Sequence, residues 1–296
     1  MAPCETLRVP TTVTITGSGV PHVQPGRAGP GALVSCGKVH LQFDAGRATT
    51  LRLSEAGVPL HWLTALFVTH HHSDHLTGLD DVLFTRWLER HDRFVPLPVV
   101  APDGPAVRFL QRIFEPWDAD IEVRKAHVGR TDGPHPDIRA FTCAGPSPVE
   151  VWRHDSTGIR VLASAVHHEP VAPAVAYRVD TPDGAVVVSG DTRVCDEVAD
   201  LARGANVLVH EAMRSSVLRT YAEFLPHVEH LIDYHADTVE LGAMAARAGV
   251  PHLVLTHLIP APVPGSDDEL EWIADVRRGG YEGAVTVARD LTAVTF

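Results

Sequence analysis

Short apolar runs bounded by glycine and polar clusters recur along this chain, separated by stretches whose apolar positions repeat every three to four residues. The first pattern reads as strand and the second as helix. Val9–Thr16 alternates β-branched and small residues before Gly17-Ser18-Gly19, which predicts a strand ending in a turn. Ala32–Ser35 and Val39–Phe43 read as the next strands, the second closing on Asp44-Ala45-Gly46, and Thr49–Ala56 as a helix stopped by Gly57. Ala65-Leu66-Phe67-Val68 is apolar throughout, as in a strand buried on both faces, and runs straight into Thr69-His70-His71-His72-Ser73-Asp74-His75. Leu79–Arg90 and Val107–Phe114 read as helices with a strand, Val99–Ala101, between them. From Arg124 to Pro148 glycine, proline and charge dominate, and loops or irregular edge structure are expected.

The second half repeats the rhythm. Ile159–Ser164, Val175–Val179, Ala185–Ser189, Val207–Val209 and Leu253–Thr256 are predicted strands, and Ala284–Ala288 and Leu291–Thr295 close the chain. Val198–Arg203 and Thr238–Ala248 are predicted helices, the latter ended by Gly249. No low-complexity linker divides the halves, so residues 1–296 are expected to form one α/β domain with sheet inside and helices outside.

Composition narrows the picture only a little. The 296 residues are 45% hydrophobic and 21% charged, the balance of a globular protein with a sizeable core. Cys4, Cys36, Cys143 and Cys195 lie far apart without CxxC spacing, which suggests neither a zinc ribbon nor a disulfide framework. The first eight residues lack an apolar leader and no run is long enough to span a bilayer, so a cytoplasmic protein without membrane partner is expected. The net charge of −12, from 25 Lys+Arg against 37 Asp+Glu, repels polyanions. It leaves room for a small anion held at a metal.

Position gives the 19 histidines their meaning. His70, His72, Asp74 and His75 follow a buried strand directly, and zinc takes imidazole nitrogen and carboxylate oxygen at roughly 2.0–2.2 Å from rigid supports. Residues two apart at a strand end can face the same way, so His70 and His72 suit one ion. The following turn brings Asp74 and His75 toward a second, while His71 should point elsewhere. His167-His168, Asp191 and His257 each follow another predicted strand. In open α/β sheets ligands gather beyond the carboxyl ends of strands. Singly, Asp191 could be a turn residue and His257 a helix cap. Together they complete a two-ion site.

Thr69–His75 resembles the HxHxDH signature of the metallo-β-lactamase superfamily. Ser189-Gly190-Asp191-Thr192, His210-Glu211-Ala212 and Leu255-Thr256-His257, in that order, are similar to the branch containing ribonuclease Z and its arylsulfatase and phosphodiesterase relatives. Gly17-Ser18-Gly19, Arg27-Ala28-Gly29-Pro30, Phe43-Asp44-Ala45-Gly46 and Pro173-Ala174 with Tyr177-Arg178 extend the likeness over nearly the whole chain. The resemblance implies an αββα sandwich of two mixed sheets flanked by helices. It implies two divalent ions, zinc ahead of manganese or iron(II). His70, His72 and His168 would hold one, Asp74, His75 and His257 the other, and Asp191 would bridge them. His168 is preferred to His167 for its spacing to Pro173-Ala174. His235 is similar to the family histidine that protonates the leaving group, and Glu211 to the acid that orients it. His210 is expected to be structural, and a homodimer is expected by resemblance alone.

The implied chemistry is in-line attack on phosphorus or sulfur by a hydroxide held at the ions, with Asp74 also holding the nucleophile and His235 acting as proton donor. Ribonuclease Z proteins carry a Gly/Pro-rich arm that grips tRNA, and a basic face. No such arm is evident in the 145–175 region, and Arg27-Ala28-Gly29-Pro30-Gly31 looks more like the arylsulfatase-type relatives. The expected substrate is therefore a small anionic phosphodiester or aryl sulfate ester, with nucleic acid ranked below it. A tRNA 3′-processing endonuclease is the first alternative; lactone or thioester hydrolysis and a non-catalytic metal-binding protein follow.

Overall fold

The computed structural model describes residues 10–89, 94–145, 147–222, 224, 228–263 and 268–296. Val9, Arg90 and Cys4 lie outside them. The strands are β1 (Thr12–Gly17), β2 (Gly31–Cys36), β3 (Val39–Phe43), β4 (Ala65–Phe67), β5 (Pro98–Pro102), β6 (Asp137–Phe141), β7 (Val149–His154), β8 (Ile159–Ala165), β9 (Val175–Thr181), β10 (Gly184–Val188), β11 (Val207–Met213), β12 (His252–Ile259), β13 (Ala284–Val287) and β14 (Ala293–Thr295). The helices are α1 (Thr49–Glu55), α2 (Ser73–Leu76), α3 (Leu79–Leu88), α4 (Pro105–Arg112), α5 (Asp118–Val128), α6 (Asp196–Ala202), α7 (Ser215–Arg219), α8 (Val228–Ile232), α9 (Thr238–Ala248) and α10 (Asp268–Arg278).

Two seven-stranded sheets form, in the orders β14-β1-β2-β3-β4-β5-β6 and β13-β12-β11-β10-β9-β8-β7. Each is mixed. β3 through β6 run parallel, as do β10 through β13, while the remaining neighbours pair antiparallel. The alternating rhythm is the cause: each parallel pair needs a crossover, and the helical segments supply it.

Side-chain alternation divides the core into three layers. In β4, Ala65 and Phe67 face the opposing sheet, whereas Leu66, and Val68 just past the strand, face the helices. In β11, Val207 and Val209 point between the sheets and Leu208 and Ala212 toward α6, α9 and α10. Phe43 stacks on Phe67 at 4.8 Å and both rings contact Tyr177 from the second sheet. Such pairs add about 0.5–1.5 kcal/mol beyond the area they bury. The two mixed sheets flanked by helices are the αββα sandwich expected.

The stretch from Arg124 to Pro148 departs from expectation. Instead of loops alone it contains most of the second half of α5 and all of β6. Both lie at the rim. Ile121 is the one buried residue of α5, and β6 is an edge strand with no buried residue. Little burial leaves little periodicity to read. By contrast α9 matches its prediction, because Asp237 caps it by accepting from the backbone N–H groups of Val239 and Glu240, and Gly249 ends it at φ 67°.

One close approach fixes the mouth of the sandwich. A Cβ on Gly46 would lie 2.4 Å from the Asp74 carbonyl oxygen and 2.4 Å from Gly29 C. Glycine is required there because three backbone segments meet, and that contact seats the loop carrying Asp74 and His75.

Candidate metal centre

The chemistry-bearing residues sit beyond the strand ends that point to one edge of the sandwich. His70, His72, Asp74 and His75 follow β4, His168 follows β8, Asp191 follows β10, Glu211 lies within β11 and His257 within β12. Ligating atoms of His70, His72, His168 and Asp191 lie within 4.8 Å of one another, and so do those of Asp74, His75 and His257. Asp191 Oδ2 stands between the groups. It is 3.9 Å from the Nε2 atoms of both His70 and His168, 3.3 Å from His75 Nε2 and 3.4 Å from His257 Nε2. Of the adjacent pair, His168 joins the cluster, while His167 is turned outward toward Glu169 and Glu197. His71 is also outside the cluster, near Arg108.

Outer hydrogen bonds decide which ring nitrogens are left bare. Asp44 accepts from Thr69 N and Thr69 Oγ1, both at 2.8 Å, and from His75 Nδ1 at 2.7 Å. With its proton given to Asp44, the Thr69 hydroxyl is left to accept from His70 Nδ1 at 3.0 Å. The Tyr234 carbonyl accepts from His168 Nδ1 at 3.2 Å. In these tautomers His70, His75 and His168 each present Nε2 as a lone pair to the cluster. The Nε2 atoms of His70 and His75 are buried and have no hydrogen-bond partner among the described residues. Buried polar atoms are rarely left so. Lone pairs converging on buried carboxylates, with their far nitrogens held by carboxylate, hydroxyl or carbonyl, are what a divalent cation requires, and the donor set fits two such ions. The bound groups would supply positive charge to the substrate and a lowered pKa to a water.

The side chains of the cluster strongly shift one another's protonation, and Asp191 and Asp44 raise His75 against the effect of burial. Burial pushes the Asp191 carboxyl up, yet the surrounding His257 and His75 outweigh it and hold it well below the ordinary carboxylate range. Burial, helped by His75, drives His70 well below the ordinary imidazole value. Burial and His168 lower His72 to about 4.

His235 is buried at the edge of the cluster, its ring near Asp191 and His257. Its Nδ1 donates to Glu211 Oε1 at 2.9 Å, and that same oxygen accepts from Thr192 N at 3.1 Å and Ala236 N at 3.2 Å. Burial disfavours the imidazolium, but the Glu211 carboxylate more than compensates and the net shift is upward. His235 Nε2 is thereby left toward the site. His210 faces the helix layer with Nδ1 bonded to the Glu211 carbonyl at 2.7 Å, away from the cluster.

The profile of the beta-lactamase superfamily domain matches residues 41–258. This chain belongs to the metallo-β-lactamase superfamily. Within that superfamily of metal-dependent hydrolases it falls in the ribonuclease Z branch: it is 38% identical over 270 residues to "Ribonuclease Z" of Mycobacterium sp. (strain KMS), covering 88% of each chain. Among solved structures, the metallo-beta-lactamase fold protein YhfI from Bacillus subtilis superposes with a TM-score of 0.71 at 20% identity, covering 97% of this chain and 100% of that one. Human short-form tRNase Z gives 0.69 at 21%, covering 96% and 98%.

These relatives correct one expectation. A small anionic ester was expected as the substrate, with nucleic acid ranked below it, but curated superfamily members so similar over so much of the chain are named for action on RNA. The expectation rested on the want of an arm in the 145–175 region, on the Arg27–Gly31 segment and on a net charge of −12 treated as a local quantity. Charges more than about 8 Å apart are largely screened at physiological salt, so acids elsewhere on the surface do not set the field at the mouth. There Arg108 lies beside His71, and Arg193, two residues past Asp191, donates its backbone N–H to His167.

Two residues that hydrogen-bond cluster histidines escaped sequence reading. Asp44 and Tyr234 carry no metal-ligand spacing of their own. Asp44 had a signal in hindsight: it ends a strand in Asp-Ala-Gly at φ 53°, a backbone conformation that non-glycine residues rarely hold without reason. We expect Asp44→Asn to weaken metal affinity about 10–100-fold, the usual cost of losing an outer partner. Competition with a chelator measures it, and unchanged affinity would remove Asp44 from that role.

Proposed function

We propose that this chain is a metal-dependent endoribonuclease that cleaves precursor tRNA at its 3′ side. The observation that carries the reading is the 38% identity to ribonuclease Z over 88% of both chains, and the intact cluster supports a working enzyme. His70, His72 and His168 would hold one divalent ion, Asp74, His75 and His257 the other, with Asp191 between them; zinc suits the nitrogen-rich set, and manganese or iron(II) are the alternatives. Asp74 Oδ2, 3.4 Å from His257 Nε2, is placed to accept a proton-bearing contact from the attacking water. His235, held by Glu211, is placed to give its Nε2 proton to the departing oxygen.

The β7–β8 hairpin turns through residues 155–158, leaving no arm at that point. The RNA would then be held at the edge of the cluster, with Arg108 near His71 and Arg193 near Glu169 as the neighbouring cations.

The test uses the full chain loaded with zinc or manganese and a 3′-extended precursor tRNA. A single cut beside the acceptor stem, abolished by chelator and restored by the ion, is expected. Intact RNA alongside turnover of aryl sulfate or bis-aryl phosphate would overturn the reading.

A further inference from the structure

Tyr234 occupies a place that neither the metal cluster nor the proton donor explains. Only its backbone carbonyl orients His168. Its ring packs edge-on to His168, with centroids 5.2 Å apart at 82°, and lies 4.9 Å from His235 at 50°. Among the described residues no other Phe, Tyr or Trp ring touches the cluster histidines, and the Tyr234 hydroxyl has no hydrogen-bond partner. The side chain is partly buried, with some of its surface open to solvent. A tyrosine that serves packing usually buries its ring and satisfies its hydroxyl. Tyr234 buries its ring only in part and leaves its hydroxyl without a partner among the described residues.

Resting on the ribonuclease reading above, we propose that the Tyr234 ring is a stacking platform for the nucleobase flanking the cleaved phosphodiester. The ring stands beside His168 and His235, so a phosphate seated among the ligand residues brings one neighbouring nucleotide alongside it. A phenol ring offers a flat apolar face that any base can cover, which gives affinity without demanding a particular sequence. It would also favour nucleotide esters over esters with no ring beside the reacting group. Because the backbone of Tyr234, and not its ring, holds His168, the side chain can be changed without removing that contact.

The experiment compares wild-type, Tyr234→Phe and Tyr234→Ala proteins, each with metal content verified, on a 3′-extended precursor tRNA. The same RNA is also made abasic at one or the other nucleotide flanking the cut. Tyr234→Ala should raise KM on the intact RNA about ten-fold, the scale of one lost stack, with kcat little changed. Tyr234→Phe should restore the wild-type value. On one of the abasic RNAs, wild-type and Tyr234→Ala should be equal. An Ala defect of equal size on both abasic RNAs would make the ring merely structural, and a Phe defect as large as the Ala defect would assign the role to the hydroxyl; either overturns the stack alone. Wild-type enzyme inert on the intact RNA overturns the ribonuclease reading and this inference with it.

Discussion

Asp191→Ala protein is expected to purify with little bound metal and to lose at least about a hundred-fold in RNA cleavage. Losing an outer hydrogen-bond partner already costs about 10–100-fold in affinity or activity, and Asp191 stands nearer than that. One of its oxygens lies 3.3–3.9 Å from four cluster imidazoles. Without it, imidazole nitrogens converge with no anion between the two groups, and the second cation meets the full repulsion of the first. The loss should also show in stability. A ligand that binds only the folded state stabilises it by about 2.7 kcal/mol at a hundred times its Kd, so added zinc should raise the melting temperature of the wild type and leave that of Asp191→Ala nearly unmoved. Elemental analysis and melting curves with and without zinc measure this. Full metal occupancy with wild-type turnover would dismiss Asp191 as a shared ligand.

His235→Ala is expected to do the opposite: metal retained, turnover down about 10²–10⁴-fold, the range for removing a positioned proton donor. The deficit should be largest for RNA, whose departing oxygen is a poor leaving group, and smaller for an activated nitrophenyl ester. Equal deficits on both would count against proton donation. Glu211→Gln should act through His235. The carboxylate raises the His235 pKa, so its loss lowers it. A donor must be protonated to work, and activity falls as pH rises through its pKa, so the alkaline limb of the Gln variant should lie at lower pH than that of the wild type.

The elements that were legible in the sequence are those whose burial imposes a pattern. β4 is read from four consecutive apolar residues because both of its faces are covered, and α9 because a capping aspartate and a C-terminal glycine frame it. The convergence of these histidines and aspartates was legible for a related reason: buried strands ending in such residues have few uses except to bring them together. α5 and β6 were not, since a rim helix with one buried side chain and an edge strand with none lack periodicity. Asp44 and Tyr234 were missed because their roles arise from neighbours 25 or more residues away, Thr69 for one and His168 for the other. The substrate class was misjudged in part because total charge averages over the whole surface and says little of any one region of it.

β14 pairs with β1, Thr295 lying opposite Thr12. The outermost ladder of the first sheet therefore joins residues separated by as many as 283 positions. During synthesis β1 has emerged long before its partner is made, and one edge of that strand stays open until β14 follows. Pairings of such sequence separation are slow to form and leave strand edges exposed in the meantime. The nascent protein thus passes through a stage in which most of the sandwich can assemble while its final seam waits to close.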